Sequence, residues 1–402
     1  VAADVYTAWT HYTFRRLQEF WEASAAALEQ ARRVGDTHMI VYATFAFLTL
    51  GAPPELEGER SRVAEEFATF PRAGIRPAPL AQILNAIGFV FLSGGQRDRT
   101  EAVWQELDDF ARRVGDPYVQ AWQVWPEASR LAFAGELDAA VEVVQRFAGS
   151  AAGVEPFGQS VAAFDVSPLL VRLGRFEEAL AYRQYWGAFL GMEGMAAYAQ
   201  AAAGFMDEAR RETQRLIAEG GTTAENDWTA TGTLVYLLAT TILTRDMDVL
   251  RMLYRRLAGF GELYSPEAYS TVARQLGLAA LLLDDPPAAR AHLATALDVA
   301  ARVGDRPETA LVRLAIARTL YEHYPDERAE AVEHLAFALS EFQAMKMQPA
   351  LEEAMRLKLQ AQGVSSTDIY TSIGAVARAA EAERPDLRTH AAPDGTVTIM
   401  FT

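Results

Sequence analysis

Cysteine is absent from the 402 residues of this chain, which excludes disulfide staples, thiolate metal sites and a thiol nucleophile together. Lysine is almost absent. Only Lys346 and Lys358 occur, and every other fixed cation is arginine, a bias that reads as coding composition rather than as a demand for carboxylate forks. No uninterrupted apolar run of about 18 residues exists, and the most apolar stretch, TLVYLLATTILTRD, is broken by threonines, so no membrane span is expected. The opening VAADVYTAW has no basic region and no cleavage site, so it is not a signal peptide; both ends read as cuts through a longer polypeptide, and the expected compartment is the cytoplasm.

Catalytic signatures are missing as well. The chain contains no G-x-x-x-x-G-K-[ST] phosphate loop, no H-E-x-x-H and no nucleophile elbow. Its histidines (His11, His38, His292, His323, His334, His390) are scattered, and Glu330 with His334 at i, i+4 reads as a solvated helix pair. Asp284-Asp285-Pro286-Pro287 reads as a helix start, where acidic residues and proline are favoured on geometric grounds alone. No catalytic residue, metal site or cofactor is therefore assigned within the chain.

What is present is a soluble-protein composition, 50% hydrophobic and 22% charged, with a formal net charge of -16. That sign repels phosphate backbones and anionic lipid, so neither nucleic acid nor membrane is an expected partner. The chain is also internally periodic. ARRVGD spans Ala31 to Asp36 and again Ala111 to Asp116, and ARVGD returns at Ala301 to Asp305. Small residues recur between these anchors: Gly88, Ala128 and Gly277 in one helix of a pair, and Ala140, Ala179, Ala209, Ala289 and Ala331 in the other. Small residues at such positions let two helices cross closely, while Leu, Phe and Ile three or four residues away supply the apolar stripe. Counting weaker copies around Phe20, Ala64, Thr100 and Leu250, the spacing predicts about nine helical hairpins between Val1 and about Met345.

This pattern resembles tetratricopeptide repeats, in the longer and looser version found in the C-terminal arrays of MalT-like, ATP-binding LuxR-type regulators, where a helix ending in A-R-x-x-G-D precedes the next repeat. The resemblance implies an all-α, right-handed superhelix over residues 1–345. Residues 346–383 are expected to form capping helices, one from about Pro349 to Gln362 and a second from about Ile369 to Glu383 behind SSTD. Residues 384–402 are expected to be a proline-bearing linker and a β-strand stub, because Val397, Ile399 and Phe401 alternate after the Asp394-Gly395 turn.

The segment PDLRTHAAPDGTVTIMFT is similar to the entry into a class III nucleotide cyclase domain, in which this strand leads into an Asp-bearing metal loop. The resemblance implies a parent protein that converts ATP or GTP to a cyclic nucleotide with Mg or Mn, works as a dimer, and uses the array for regulation or scaffolding. The alternative is the ligand-sensing array of a MalT-like transcription regulator with no enzyme attached.

In a superhelix of this kind the first helix of each hairpin lines a concave groove. Register places Gln82, Asn85, Trp122, Trp125 and Ser129 there, with Trp9 and Tyr12 in the first hairpin, Tyr198 in the sixth, Arg274 in the eighth and Arg313 in the ninth. Tyr118 shares a helical face with Trp122 and Trp125. A protein or small-molecule ligand is the expected occupant, since groove aromatics offer large contact area at low entropy cost. The competing assignment is that these aromatics fill the interfaces between hairpins.

Overall fold

The computed structural model describes residues 2–150, 157–188, 192–223, 225, 227–362, 387–391 and 397–401. Among them the helices fall into nine consecutive hairpins. The first four pair Ala2–Thr13 with Leu17–Val34, Thr37–Leu48 with Glu57–Ala68, Pro77–Ser93 with Arg97–Val114, and the broken helix Pro117–Ala121/Val124–Ala134 with Leu137–Ser150. The fifth joins Phe157–Leu173 to Phe176–Ala181, the sixth Met195–Ala202 to Met206–Gly220, and the seventh Thr231–Thr244 to Met247–Leu257. Val272–Leu282 with Pro286–Val303 and Arg306–His323 with Arg328–Ala344 complete the array, and Gln348–Ala361 packs on the ninth hairpin. The fold is all-α, a helical-hairpin array of tetratricopeptide type, as the repeat pattern requires.

The repeated ARRVGD turn works as a stop followed by a start. Gly35, Gly115 and Gly304 adopt left-handed φ of 74°, 68° and 72°, a conformation that glycine takes without a Cβ penalty, and each closes its helix with a backbone bond to the preceding turn. The aspartate that follows caps the next helix: the Asp36, Asp116 and Asp305 carboxylates accept from the backbone N–H of Met39 at 3.0 Å, Tyr118 at 2.8 Å and Glu308 at 2.9 Å. Close crossings lie where the small residues predict. A Cβ on Gly88 would sit 2.0 Å from Nε1 of the fully buried Trp104, and one on Gly277 would sit 2.7 Å from Leu293 Cγ.

Polar contacts between neighbouring hairpins repeat the period. Arg72 Nε bonds Glu106 at 2.8 Å, Arg99 Nη1 bonds Glu65 at 2.6 Å, Arg210 Nη2 bonds the Thr244 carbonyl at 2.6 Å, and Arg274 Nε bonds Glu308 at 2.9 Å; in each the partners lie 34 residues apart. A second, longer period closes the superhelix. Thr231 N–H donates to the Ala52 carbonyl at 2.8 Å, Arg97 to the Val303 carbonyl at 3.1 Å, Arg306 to the Ala134 carbonyl at 3.2 Å, and Lys346 to Asp138 at 2.9 Å. Arg15 pairs with Glu193, and Arg256 with Glu55 at 2.9 Å. These contacts join hairpins roughly five apart, so consecutive superhelical turns touch.

The interior is filled by the chain itself. A short antiparallel pair, Tyr264–Ser265 with Ser270–Thr271, is inserted between the seventh and eighth hairpins. Its Tyr264 and Tyr269 rings are buried against Phe133 of the fourth hairpin, at centroid distances of 6.2 and 6.0 Å. The Tyr236 hydroxyl donates to the Glu267 carbonyl at 2.5 Å, fixing this plug to the seventh hairpin.

The C-terminal strand Val397–Phe401 has a partner. Leu387–Ala391, read from the sequence as connector, pairs with it antiparallel in the register Leu387↔Phe401, Thr389↔Ile399 and Ala391↔Val397. A lone strand leaves its backbone donors and acceptors unpaired; Leu387, Thr389 and Ala391 recur at the same period of two, and Pro385 precedes the strand rather than interrupting it. The expected second capping helix, Ile369 to Glu383, lies outside the described residues.

Candidate functional site

The first helices of the early hairpins carry a connected path of aromatic rings. Tyr12 meets Trp9 at a centroid distance of 5.3 Å, Trp9 meets Phe45 at 5.8 Å, Phe45 meets Trp122 at 6.4 Å, and Trp122 meets Tyr118 at 6.4 Å. Trp9, Tyr12, Phe45 and Trp122 are half-buried and Tyr118 is exposed. The Gln82 side-chain amide, from the intervening hairpin, donates to the Tyr118 hydroxyl at 2.8 Å. Sequence register therefore brings Trp9, Tyr12, Gln82, Tyr118 and Trp122 together. It missed Phe45, which sits one turn before the end of a helix so uniformly apolar that no face stands out by pattern.

Other groove assignments change. Trp125 is only 4% exposed and packs on Trp122 at 4.8 Å within the main core. Pro126 cannot donate to the Trp122 carbonyl, so the helix breaks after Ala121 and resumes at Val124, and Trp125 turns inward from the face it would share with Tyr118. Asn85 is buried as well, and Ser129 is fully enclosed beside Tyr269. Tyr198 meets Tyr236 in a tilted contact at a centroid distance of 5.7 Å, and the Arg313 guanidinium lies 4.3 Å from the Phe337 ring centre. Trp125, Asn85 and Ser129 therefore serve packing, while Tyr198 and Arg313 stay half-buried.

Arg274 belongs to a buried polar cluster on the superhelix axis. One Glu308 oxygen accepts from Thr271 N–H at 2.8 Å, Arg274 Nε at 2.9 Å, Thr271 Oγ1 at 3.0 Å and Ser270 Oγ at 3.2 Å, while its other oxygen lies 3.5 Å from Arg172. Asp305 accepts from the Tyr264 hydroxyl at 2.7 Å and lies 3.7 Å from Arg172. Burial pushes Asp305 up to about 6, with Arg172 opposing the rise. Glu308 is equally buried, but Arg274 and Arg172 with the Thr271 N–H outweigh desolvation and hold it below the usual carboxylate range. Burial alone raises Asp165 well above its ordinary value, and its Oδ2 has no hydrogen-bond partner among the described residues. No cluster of potential metal ligands occurs among the described residues. The cluster ties the fifth, eighth and ninth hairpins together.

No protein-family profile and no curated protein sequence matches the chain. Among solved structures, the "Crystal structure of APC/C hetero-tetramer Cut9-Hcn1" aligns over 92% of this chain and 88% of that chain at 10% identity, with a TM-score of 0.36. A score that low carries no weight for fold or function. The assignment to a helical-hairpin array rests on the repeated turns, crossings and 34-residue contacts described above.

Proposed function

We propose that this chain is a protein-interaction module, the regulatory or scaffolding region of a multidomain signalling protein whose catalytic part is a class III nucleotide cyclase. The observation that carries the interaction role is the aromatic path Tyr12–Trp9–Phe45–Trp122–Tyr118. Four of its rings are half-buried and the fifth, Tyr118, is exposed, so the path is open to a partner. Rigid rings flanked by an amide and a phenol suit an extended peptide segment, which presents apolar side chains and unpaired backbone groups together. Selection of random displayed peptides against the chain tests this. Binding of the selected peptides should fall about tenfold or more when Phe45 and Trp122 are both changed to Ala, with the helical circular dichroism retained. Undiminished binding would remove the site.

The cyclase context is supported by the likeness of residues 385–402 to the entry of that domain, in which Val397–Phe401 is a strand. In such a parent, ATP or GTP and Mg or Mn would be held by the catalytic domain, which works as a dimer. The coding sequence beyond Thr402 decides: Asp followed by a Gly-Ser/Phe-Thr loop supports the cyclase, and a helix-turn-helix supports the MalT-like alternative.

A further inference from the structure

The seam between superhelical turns holds a cleft of about 740 Å³. One wall is the Arg15–Leu17 turn of the first hairpin; the others come from the fifth, sixth and seventh hairpins and the loop that bears Trp228. We propose that this cleft binds a small organic anion built on a ring, and that the bound anion ties the first hairpin to the following turn. This site is separate from the aromatic path and does not depend on the peptide reading.

The volume falls within the range of small-molecule sites, roughly 300 to 1,000 Å³. Leu17, Leu216, Trp186 and Trp228 supply apolar lining for a ring. The polar lining is unevenly committed. Glu193 pairs with Arg15 and accepts from Thr233 at 2.6 Å, Glu212 and Glu219 both bond Arg215, and Asp227 accepts from the backbone N–H of Thr223 at 2.6 Å and of Thr229 at 2.8 Å. Arg16 and Arg183 have no carboxylate partner among the described residues, and they reach the cleft from two different walls. Glu19 is the one lining carboxylate left in the same condition. Two uncommitted guanidiniums against one such carboxylate favour a carboxylate, sulfonate or phosphate on the ligand, each of which guanidinium donors match geometrically.

The probe is 1-anilinonaphthalene-8-sulfonate, an aromatic monoanion whose fluorescence reports binding, titrated into the full chain. One saturable site per chain is expected. The double substitution Arg16→Gln, Arg183→Gln should weaken binding about tenfold or more, the scale of lost hydrogen bonds to a charged group. Arg112→Gln with Arg146→Gln, at a second surface hollow, should leave it unchanged. The neutral isostere N-phenyl-1-naphthylamine should bind at least about tenfold more weakly than the sulfonate. Leu216→Trp, which fills the cleft without touching a charge, should abolish binding while the melting profile is retained. Probe should also raise the melting temperature of the parent chain, because it binds the closed seam. Equal binding of the neutral isostere, or undiminished binding in the arginine pair or in Leu216→Trp, would overturn the assignment. Competition by nucleoside monophosphates against aromatic carboxylates then separates phosphate from carboxylate ligands.

Discussion

The same turn is used in two parts of the molecule with opposite surroundings. At Gly35-Asp36 and Gly115-Asp116 the capping aspartate is exposed, in the early hairpins whose aromatic rings stay half-buried. At Gly304-Asp305 it is fully buried, at the start of the ninth hairpin and facing Arg172 of the fifth. Local chemistry is alike in all three: a left-handed glycine ends one helix and an aspartate starts the next. The third residue after the aspartate differs, being Met39 and Val119 in the open copies and Glu308 in the closed one. A repeat unit thus folds by its own caps and crossings, while contact between turns decides which copies become ionic core.

Erasing that difference should have the largest effect. Glu308→Met gives the closed copy the side chain of the first open copy, leaves Arg172 with Asp305 as its remaining carboxylate, and strips Arg274 and Thr271 N–H of their acceptor. Breaking a buried ion network in this way costs about 3 to 5 kcal/mol. Hydrogen exchange along the chain should show protection lost first in the fifth, eighth and ninth hairpins; a uniform change, or none, would show that the cluster does not couple them.

Much of the array was legible because its determinants are local. Gly88 faces Trp104 within one hairpin, and each Gly-Asp turn is complete in two residues, so a single repeat carries the information. Contact between turns is different in kind. Thr231 meets Ala52 and Arg172 meets Asp305 only because small rotations per hairpin accumulate over four or five of them, and no residue pattern encodes that sum. The inserted Tyr264–Thr271 plug follows from the same cause, since its tyrosines read as a loop until the axis they fill exists. Pro126 was a signal present in the sequence, and the inward turn of Trp125 could have been read from it.

Trp122 and Trp125 carry the open-versus-closed contrast into a single helix break. Trp125→Ala should cost about 3 to 5 kcal/mol, as for a buried aromatic, and Trp122→Ala less by about 1 kcal/mol or more because one side of its ring already meets solvent. Thermal melts of the two single variants make the comparison. Equal losses would place both in the core and withdraw Trp122 from the peptide path.

Acidity separates the copies next. Asp305 in the folded chain stands near 6 against an ordinary 3.8, so between about pH 4 and pH 6 the native state binds more protons than the unfolded one. Its contribution to stability therefore falls as pH rises through that window and is flat above it. Glu308 works in the opposite sense, contributing above its unfolded value and losing that contribution as pH falls. Asp305→Asn isolates the first effect: parent stability should decline relative to the variant from about pH 4 to pH 6 and then run parallel. Curves parallel throughout would show that burial does not set this carboxyl apart from its exposed counterparts.

The smallest effect is expected at the open copies, where only the cap is at stake. Asp36→Ala removes the bond to Met39 N–H and should cost about 1 kcal/mol, with Asp116→Ala similar. Both aspartates are exposed, although Asp116 also accepts from the N–H of the buried Val119 at 3.2 Å. The two turns lie in different hairpins with no shared contact partner, and the double variant should show the sum of the single losses to within about 0.5 kcal/mol. Chemical denaturation of the singles and the double checks this. A loss at Asp36 as large as that from Glu308→Met would mean that the turn carries the energy wherever it occurs, and the contrast between open and closed copies would then have to be explained by something other than burial.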